Sequence, residues 1–129
     1  MSKPKILIAD DADITRTIIR EVLFHLEVEL LETTTGIETI RAINKENPDL
    51  VLLDISMPGP DGLSILKKMR QTEEFKDTPV IMVTVEDGPE CRAEAAKHHV
   101  KAYIRKPINL RQLISEVCLA LNLPEKFHP

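Results

Sequence analysis

The sequence predicts a doubly wound α/β fold: one parallel five-stranded sheet with helices on both faces. Three observations predict it. Short apolar runs alternate with segments of helical periodicity along the whole chain. Three of the runs are almost continuously apolar, as strands covered on both faces must be. Between successive runs lies one helix-length segment, the spacing of βα units joined by right-handed crossovers.

The first run, Lys5-Ile6-Leu7-Ile8-Ala9-Asp10, is followed by a helical pattern from about Asp13 to Leu26. Ile14, Ile18 and Val22 fall one turn apart there and suggest its buried face, with Asp11 or Asp13 suited to cap it. The second run, Val28-Glu29-Leu30-Leu31-Glu32, alternates more and reads as an edge strand. Its helix begins at Gly36 and is closed near Asn47 by Pro48. The third run, Leu50-Val51-Leu52-Leu53-Asp54, leads through an irregular stretch to a helix over about Gly62 to Arg70. The fourth, Pro79-Val80-Ile81-Met82-Val83-Thr84, precedes a weak helix over about Pro89 to His98. That helix offers mainly Ala93, Ala95 and Ala96 for burial, so it should be loosely held. The fifth, Ala102-Tyr103-Ile104, is short, as an edge strand can be. The last helix opens with Asn109 and Gln112 as a capping pair and carries Leu110, Leu113, Ile114, Val117 and Leu121 at helical spacing.

Length fits one domain over residues 1–129, with its core at about 4–122 and residues 123–129 as a frayed end. Three Phe, one Tyr and no Trp make the core aliphatic and leave no stacking platform for nucleic acid. A net charge of −4 with interspersed signs argues against nucleic acid or an anionic membrane as partner. No stretch approaches the roughly 18 apolar residues of a membrane span, and the basic start is too short for a signal sequence. Cys91 and Cys118 lack metal-ligand spacing and read as reduced cysteines of a cytosolic protein. His25, His98, His99 and His128 read as surface residues that do not converge with the acids.

In open α/β sheets ligands bind beyond the carboxyl ends of the strands. The first run ends in Asp10-Asp11, the third in Asp54 and the fourth in Thr84, and Lys106-Pro107 follows the fifth. Three carboxylates, a hydroxyl and an amine therefore converge on one end of the sheet. Capping explains an acid before the first helix but not Asp54, which precedes Ser56-Met57-Pro58-Gly59-Pro60 rather than a helix. Clustered carboxylates repel, and a hard cation such as Mg²⁺ relieves the conflict through oxygen ligands. A carboxylate can also attack phosphorus and form an aspartyl phosphate. The Lys106 ammonium and the Thr84 hydroxyl are the groups that would neutralise the transferring oxygens.

Taken together, Ile8-Ala9-Asp10-Asp11, Leu52-Leu53-Asp54, Met57-Pro58, Asp61-Gly62, Val83-Thr84, Tyr103 and Lys106-Pro107 make the chain resemble the receiver domains of bacterial response regulators. The resemblance covers the whole chain and implies the flavodoxin-like strand order 2-1-3-4-5. It implies Asp54 as phosphoacceptor and Mg²⁺ on Asp10, Asp11, Asp54 and the Ser56 main-chain carbonyl. Lys106 would bridge to the phosphate, Thr84 would close onto it, and Tyr103 would be the switch aromatic. It further implies a sensor histidine kinase or phosphotransfer protein as donor, slow autodephosphorylation, and a cytoplasmic setting. A downstream protein would meet the face formed by the fourth helix, fifth strand and fifth helix.

Three departures from the family pattern stand out. Val85 follows Thr84 where the family has a small residue, Gly59-Pro60 stiffens the loop before Asp61-Gly62, and His99-Val100 replaces a Gly-Ala pair. His99 would then have to bear a left-handed helix end. Two other readings exist. A degenerate receiver that only binds partners is opposed by the complete set of acids, Thr84 and Lys106. A phosphohydrolase of the haloacid-dehalogenase type would need a second Asp where Ser56 stands.

Overall fold

The computed structural model describes residues 3–124. Its elements alternate from the start: β1 (Lys5–Ala9), α1 (Asp13–Leu23), β2 (Glu29–Thr33), α2 (Gly36–Glu46), β3 (Leu50–Leu53), α3 (Gly62–Arg70), β4 (Val80–Thr84), α4 (Pro89–Lys97), β5 (Ala102–Arg105) and α5 (Leu110–Leu121). All strand pairs are parallel, and their order is β2-β1-β3-β4-β5, so the two edge assignments and the predicted order hold.

Strand periodicity divides the core in two. Leu7, Ala9, Val51, Leu53, Val80 and Met82 face one side, where α2, α3 and α4 supply Ile43, Ile65, Leu66, Met69 and Ala95. Ile6, Ile8, Leu50, Leu52, Ile81 and Val83 face the other, against Ile19 and Leu23 of α1 and Leu113 and Val117 of α5. Each central strand is thus apolar on both faces, which explains the unbroken runs.

The inward face of α1 differs from the expected one. Thr15, Ile19 and Leu23 are buried, whereas Ile14 is 72% and Ile18 38% exposed. Adjacent pairs, Ile18-Ile19 and Val22-Leu23, create two overlapping stripes one residue apart. The buried stripe starts with a threonine, so the all-apolar stripe looked the stronger candidate. α1 also stops at Leu23, short of Leu26, and its N-cap is Ala12 without a side-chain cap, so neither Asp11 nor Asp13 serves there.

Other helix ends follow their sequence signals. Thr35 accepts from the Glu38 N–H at 3.1 Å, Asp61 from Ser64 at 2.8 Å and Asn109 from Gln112 at 3.0 Å. His99 has φ +59°, its N–H bonds to Ala96 and that of Val100 to Ala95, the double closure of a left-handed helix end carried here by a histidine. Of the α4 alanines only Ala95 is buried; Ala93 and Ala96 are exposed. Leu123 closes α5 by donating to Cys118 at 2.9 Å, while residues 125–129 of the expected tail lie outside the described residues. Among the described residues, no helix is long and apolar enough to cross a membrane.

Candidate functional site

β1 separates β2 from the rest of the sheet, so the strand order reverses beside it and the carboxyl ends of β1 and β3 border the crevice. The sheet ladder continues past the strands and registers the residues there. The Asp10 N–H donates to Thr33 at 3.1 Å, that of Asp54 to Ala9 at 3.0 Å and that of Lys106 to Thr84 at 2.9 Å. Lys106 then enters a cis peptide bond with Pro107.

The side chains meet as the strand ends suggested. The Lys106 ammonium lies 2.8 Å from Asp10 Oδ2 and 3.1 Å from Asp54 Oδ2. Burial opposes its charge, but Asp10 and Asp54 outweigh that, and its pKa lies above the ordinary lysine value. One oxygen each of Asp10, Asp11 and Asp54 lies within 4.8 Å of the others, with Asp10 and Asp54 buried and Asp11 exposed. Asp54 Oδ1 accepts the Ser56 N–H at 3.2 Å, and Asp10 Oδ1 accepts that of Ala12 at 2.9 Å.

Asp10 Oδ2 is the telling atom. It is buried and attracted to Lys106 as a charge, yet among the described residues no donor reaches it with hydrogen-bond geometry. Burial raises the Asp10 pKa above the ordinary carboxylate value; the Asp54 charge adds to this, and Lys106 and the Ala12 N–H offset it only in part. A buried oxygen short of a donor, beside two more carboxylates, suits a hard divalent cation that prefers oxygen ligands.

The sign of that shift gives a prediction. A carboxyl whose folded-state pKa is raised contributes stability only while protonated, so this contribution is lost as pH rises above the ordinary carboxylate range. Asp10→Asn should therefore raise the melting temperature of the metal-free protein by a few degrees at neutral pH, and less so in acid. For wild type, Mg²⁺ at 100 times its dissociation constant would add about 2.7 kcal/mol, and the variant should lose most of that gain. Melting curves in chelator and in Mg²⁺ check both parts; a lower metal-free melting temperature for the variant would refute the first.

The remaining candidates form a second layer around the acids. Thr84 is fully buried at the end of β4, and its Oγ1 accepts the Glu86 N–H at 3.2 Å. Ser56 is exposed and donates to Glu86 Oε2 at 3.3 Å. Tyr103 on β5 donates to the Glu86 carbonyl at 2.5 Å, and the Arg92 guanidinium stands 4.5 Å from its ring centroid. Burial raises the Tyr103 phenol pKa. Glu86 thus joins Thr84, Ser56 and Tyr103 through its N–H, its carboxylate and its carbonyl.

Two kinds of site residue escaped sequence reasoning. Arg16 of α1 donates to the Asp10 carbonyl at 2.8 Å, although an arginine at that helix position reads as solvated. Gly62 meets the Asp54 carbonyl so closely that an added Cβ would lie 2.2 Å from its oxygen, and at Gly36 a Cβ would lie 2.1 Å from the Pro60 oxygen. Asp61-Gly62 was legible as a motif, but its packing role was not.

The chain is similar to known proteins. The family model described as response regulator receiver domain matches residues 6–118. Chemotaxis protein CheY-3 of Vibrio cholerae is 37% identical over 110 residues, covering 84% of this chain and 85% of that protein. Chemotaxis protein CheY1 of Helicobacter pylori is 36% identical over 122 residues, covering 92% and 98%. Among solved structures, the Mn²⁺-bound form of response regulator Rcp1 superposes with a TM-score of 0.81 at 25% identity, covering 98% of this chain and 99% of that one. Fold, strand-end residues and relatives agree, and the chain belongs to the response regulator receiver domains of two-component signalling, of the chemotaxis-regulator type.

Proposed function

We propose that the chain works as one receiver unit over residues 1–129 that takes a phosphoryl group on Asp54 from a phosphohistidine of a sensor histidine kinase or phosphotransfer protein. The observation that carries this reading is the setting of Asp54. It ends a buried strand, caps no helix, and has Oδ2 at 3.1 Å from the Lys106 ammonium. The Asp54 carboxylate forms the new O–P bond as the donor's N–P bond breaks. Lys106 faces the charge gathering on the phosphoryl oxygens, and Thr84 offers its hydroxyl to them. Asp10, Asp11, Asp54 and the Ser56 carbonyl would hold Mg²⁺, which supplies further neutralisation of those oxygens. That the similar response regulator Rcp1 has a Mn²⁺-bound form supports a divalent ion for this chain.

Attack of water on the phosphorus would reverse the modification slowly. The switch would run from Thr84 through Glu86 to Tyr103, supported by their shared hydrogen bonds. The output face, α4, β5 and α5, would bind a downstream protein, supported by the shallow burial of α4. The proposed setting is the cytoplasm, in keeping with the chemotaxis regulators that the chain resembles. Incubation with acetyl phosphate and Mg²⁺ tests the central claim: hydroxylamine-labile phosphate should map to the peptide containing Asp54. No incorporation, or incorporation elsewhere, defeats it.

Val85 sets the expected tempo. It is 59% exposed directly after Thr84, where a branched side chain narrows the approach of a small donor or a water. Val85→Ala should speed both acetyl phosphate labelling and phosphoryl loss about tenfold, roughly 1.4 kcal/mol of barrier, with Mg²⁺ affinity almost unchanged. Equal rates in side-by-side time courses would show that Val85 stands clear of the approach.

A further inference from the structure

We propose that Arg16 is a positioning residue for the divalent-cation site, holding the Asp10 carbonyl and thereby the directions in which Asp10 and Asp11 present their carboxylates. The inference rests on the reading that these acids bind Mg²⁺. Although Arg16 sits on α1, its side chain is only 12% exposed. Nη1 donates to the Asp10 carbonyl at 2.8 Å, Nη2 pairs with Asp13, and Nε donates to Glu32 Oε1 at 3.1 Å. Glu32 is fixed in turn, since its other oxygen accepts from Arg20 at 2.6 Å. The guanidinium therefore ties the exit of β1 to β2 and to the first turn of α1.

The carbonyl it holds belongs to the peptide that joins Asp10 to Asp11. A peptide unit is planar, so fixing its oxygen also fixes the N and Cα of Asp11. Asp10 itself is then held at its N–H by Thr33, at its carbonyl by Arg16 and at Oδ1 by the Ala12 N–H. Only Oδ2 remains for the acidic cluster. The positive charge that does this holding is offset by Glu32 and Asp13, so it need not repel a cation nearby. A lysine could not replace it, because three acceptors in different directions require the planar fork of a guanidinium. A solvated charge on a helix surface would have neither this burial nor a bond to a main-chain carbonyl.

The test compares wild type, Arg16→Met, Arg16→Lys and Glu32→Gln by Mg²⁺ titration calorimetry and by the Mg²⁺-induced rise in melting temperature. Removing a group that orients metal ligands typically costs about 10–100-fold in affinity, and Arg16→Met should show a loss of that size. Arg16→Lys should fall between, and Glu32→Gln should weaken binding in the same direction. The acetyl phosphate reaction of each variant should need correspondingly more Mg²⁺ to reach half its own maximal rate. Variants that melt earlier without Mg²⁺ but titrate like wild type would overturn the proposal, leaving Arg16 a purely structural residue. Should Arg16→Met not fold, Arg16→Lys and Glu32→Gln decide it by the same criterion. Failure of wild type itself to bind Mg²⁺ would instead remove the underlying reading of the acids.

Discussion

Asp54→Asn is expected to reduce phosphate incorporation from acetyl phosphate and Mg²⁺ to background, a loss of at least about 100-fold or roughly 2.7 kcal/mol of barrier. The amide is a poor nucleophile and carries no charge, so it can neither attack phosphorus nor pair electrostatically with Lys106. The fold should survive the change. An amide oxygen can still accept the Ser56 N–H now bonded to Oδ1, and Lys106 keeps Asp10 at 2.8 Å. The variant should therefore fold, while its Mg²⁺-induced stabilisation shrinks with one anionic ligand gone. Hydroxylamine-labile labelling, measured beside a melting curve, separates lost chemistry from lost structure. Undiminished labelling in a folded variant would move the acceptor elsewhere.

Gly62→Ala is expected to destabilise the protein by about 3 kcal/mol or more, because the added methyl has no space that a side chain could vacate. Its Cβ would lie 2.2 Å from the Asp54 oxygen, 2.8 Å from the Asp54 carbonyl carbon and 2.9 Å from the Ile55 Cα. All three are main-chain atoms. Relief requires the start of α3 to retreat from the exit of β3, which also strains the 2.9 Å bond from the Gly62 N–H to the Ile55 carbonyl. The melting temperature should fall by roughly 10 °C or more, and labelling of Asp54 should fall with it. Gly88→Ala is the control. Among the described residues nothing lies within 4 Å of a Cβ there, and its backbone is extended at the N-cap of α4. It should lose at most about 1 kcal/mol. Thermal denaturation of the two variants side by side decides whether contact at Gly62, rather than glycine's flexibility in general, sets the requirement.

What could be read from the residues depended on the range of the interaction. Buried parallel strands need apolar side chains on both faces, so Ile6-Leu7-Ile8 and Leu50-Val51-Leu52-Leu53 announced themselves, and the acids at their ends followed. The left-handed turn at His99 was legible through the family resemblance, whose pattern has Gly-Ala where His99-Val100 stands. The inward face of α1 was not, since Ile18-Ile19 and Val22-Leu23 satisfy helical spacing in either of two rotations, and only docking on the sheet chooses. Arg16 and Gly62 were hidden for a related reason. Their roles come from contact with a main-chain carbonyl, that of Asp10 or of Asp54, and a carbonyl leaves no mark in the amino-acid order.

Tyr103 is the chain's single tyrosine, and there is no tryptophan. Above the weak phenylalanine bands, near-ultraviolet absorption, circular dichroism and intrinsic fluorescence therefore come from one phenol. That phenol donates its hydroxyl to the Glu86 carbonyl and has the Arg92 cation above its ring. Optical measurements that average over many chromophores in most proteins are local here. They report on the junction between the acidic crevice and α4 without any introduced label.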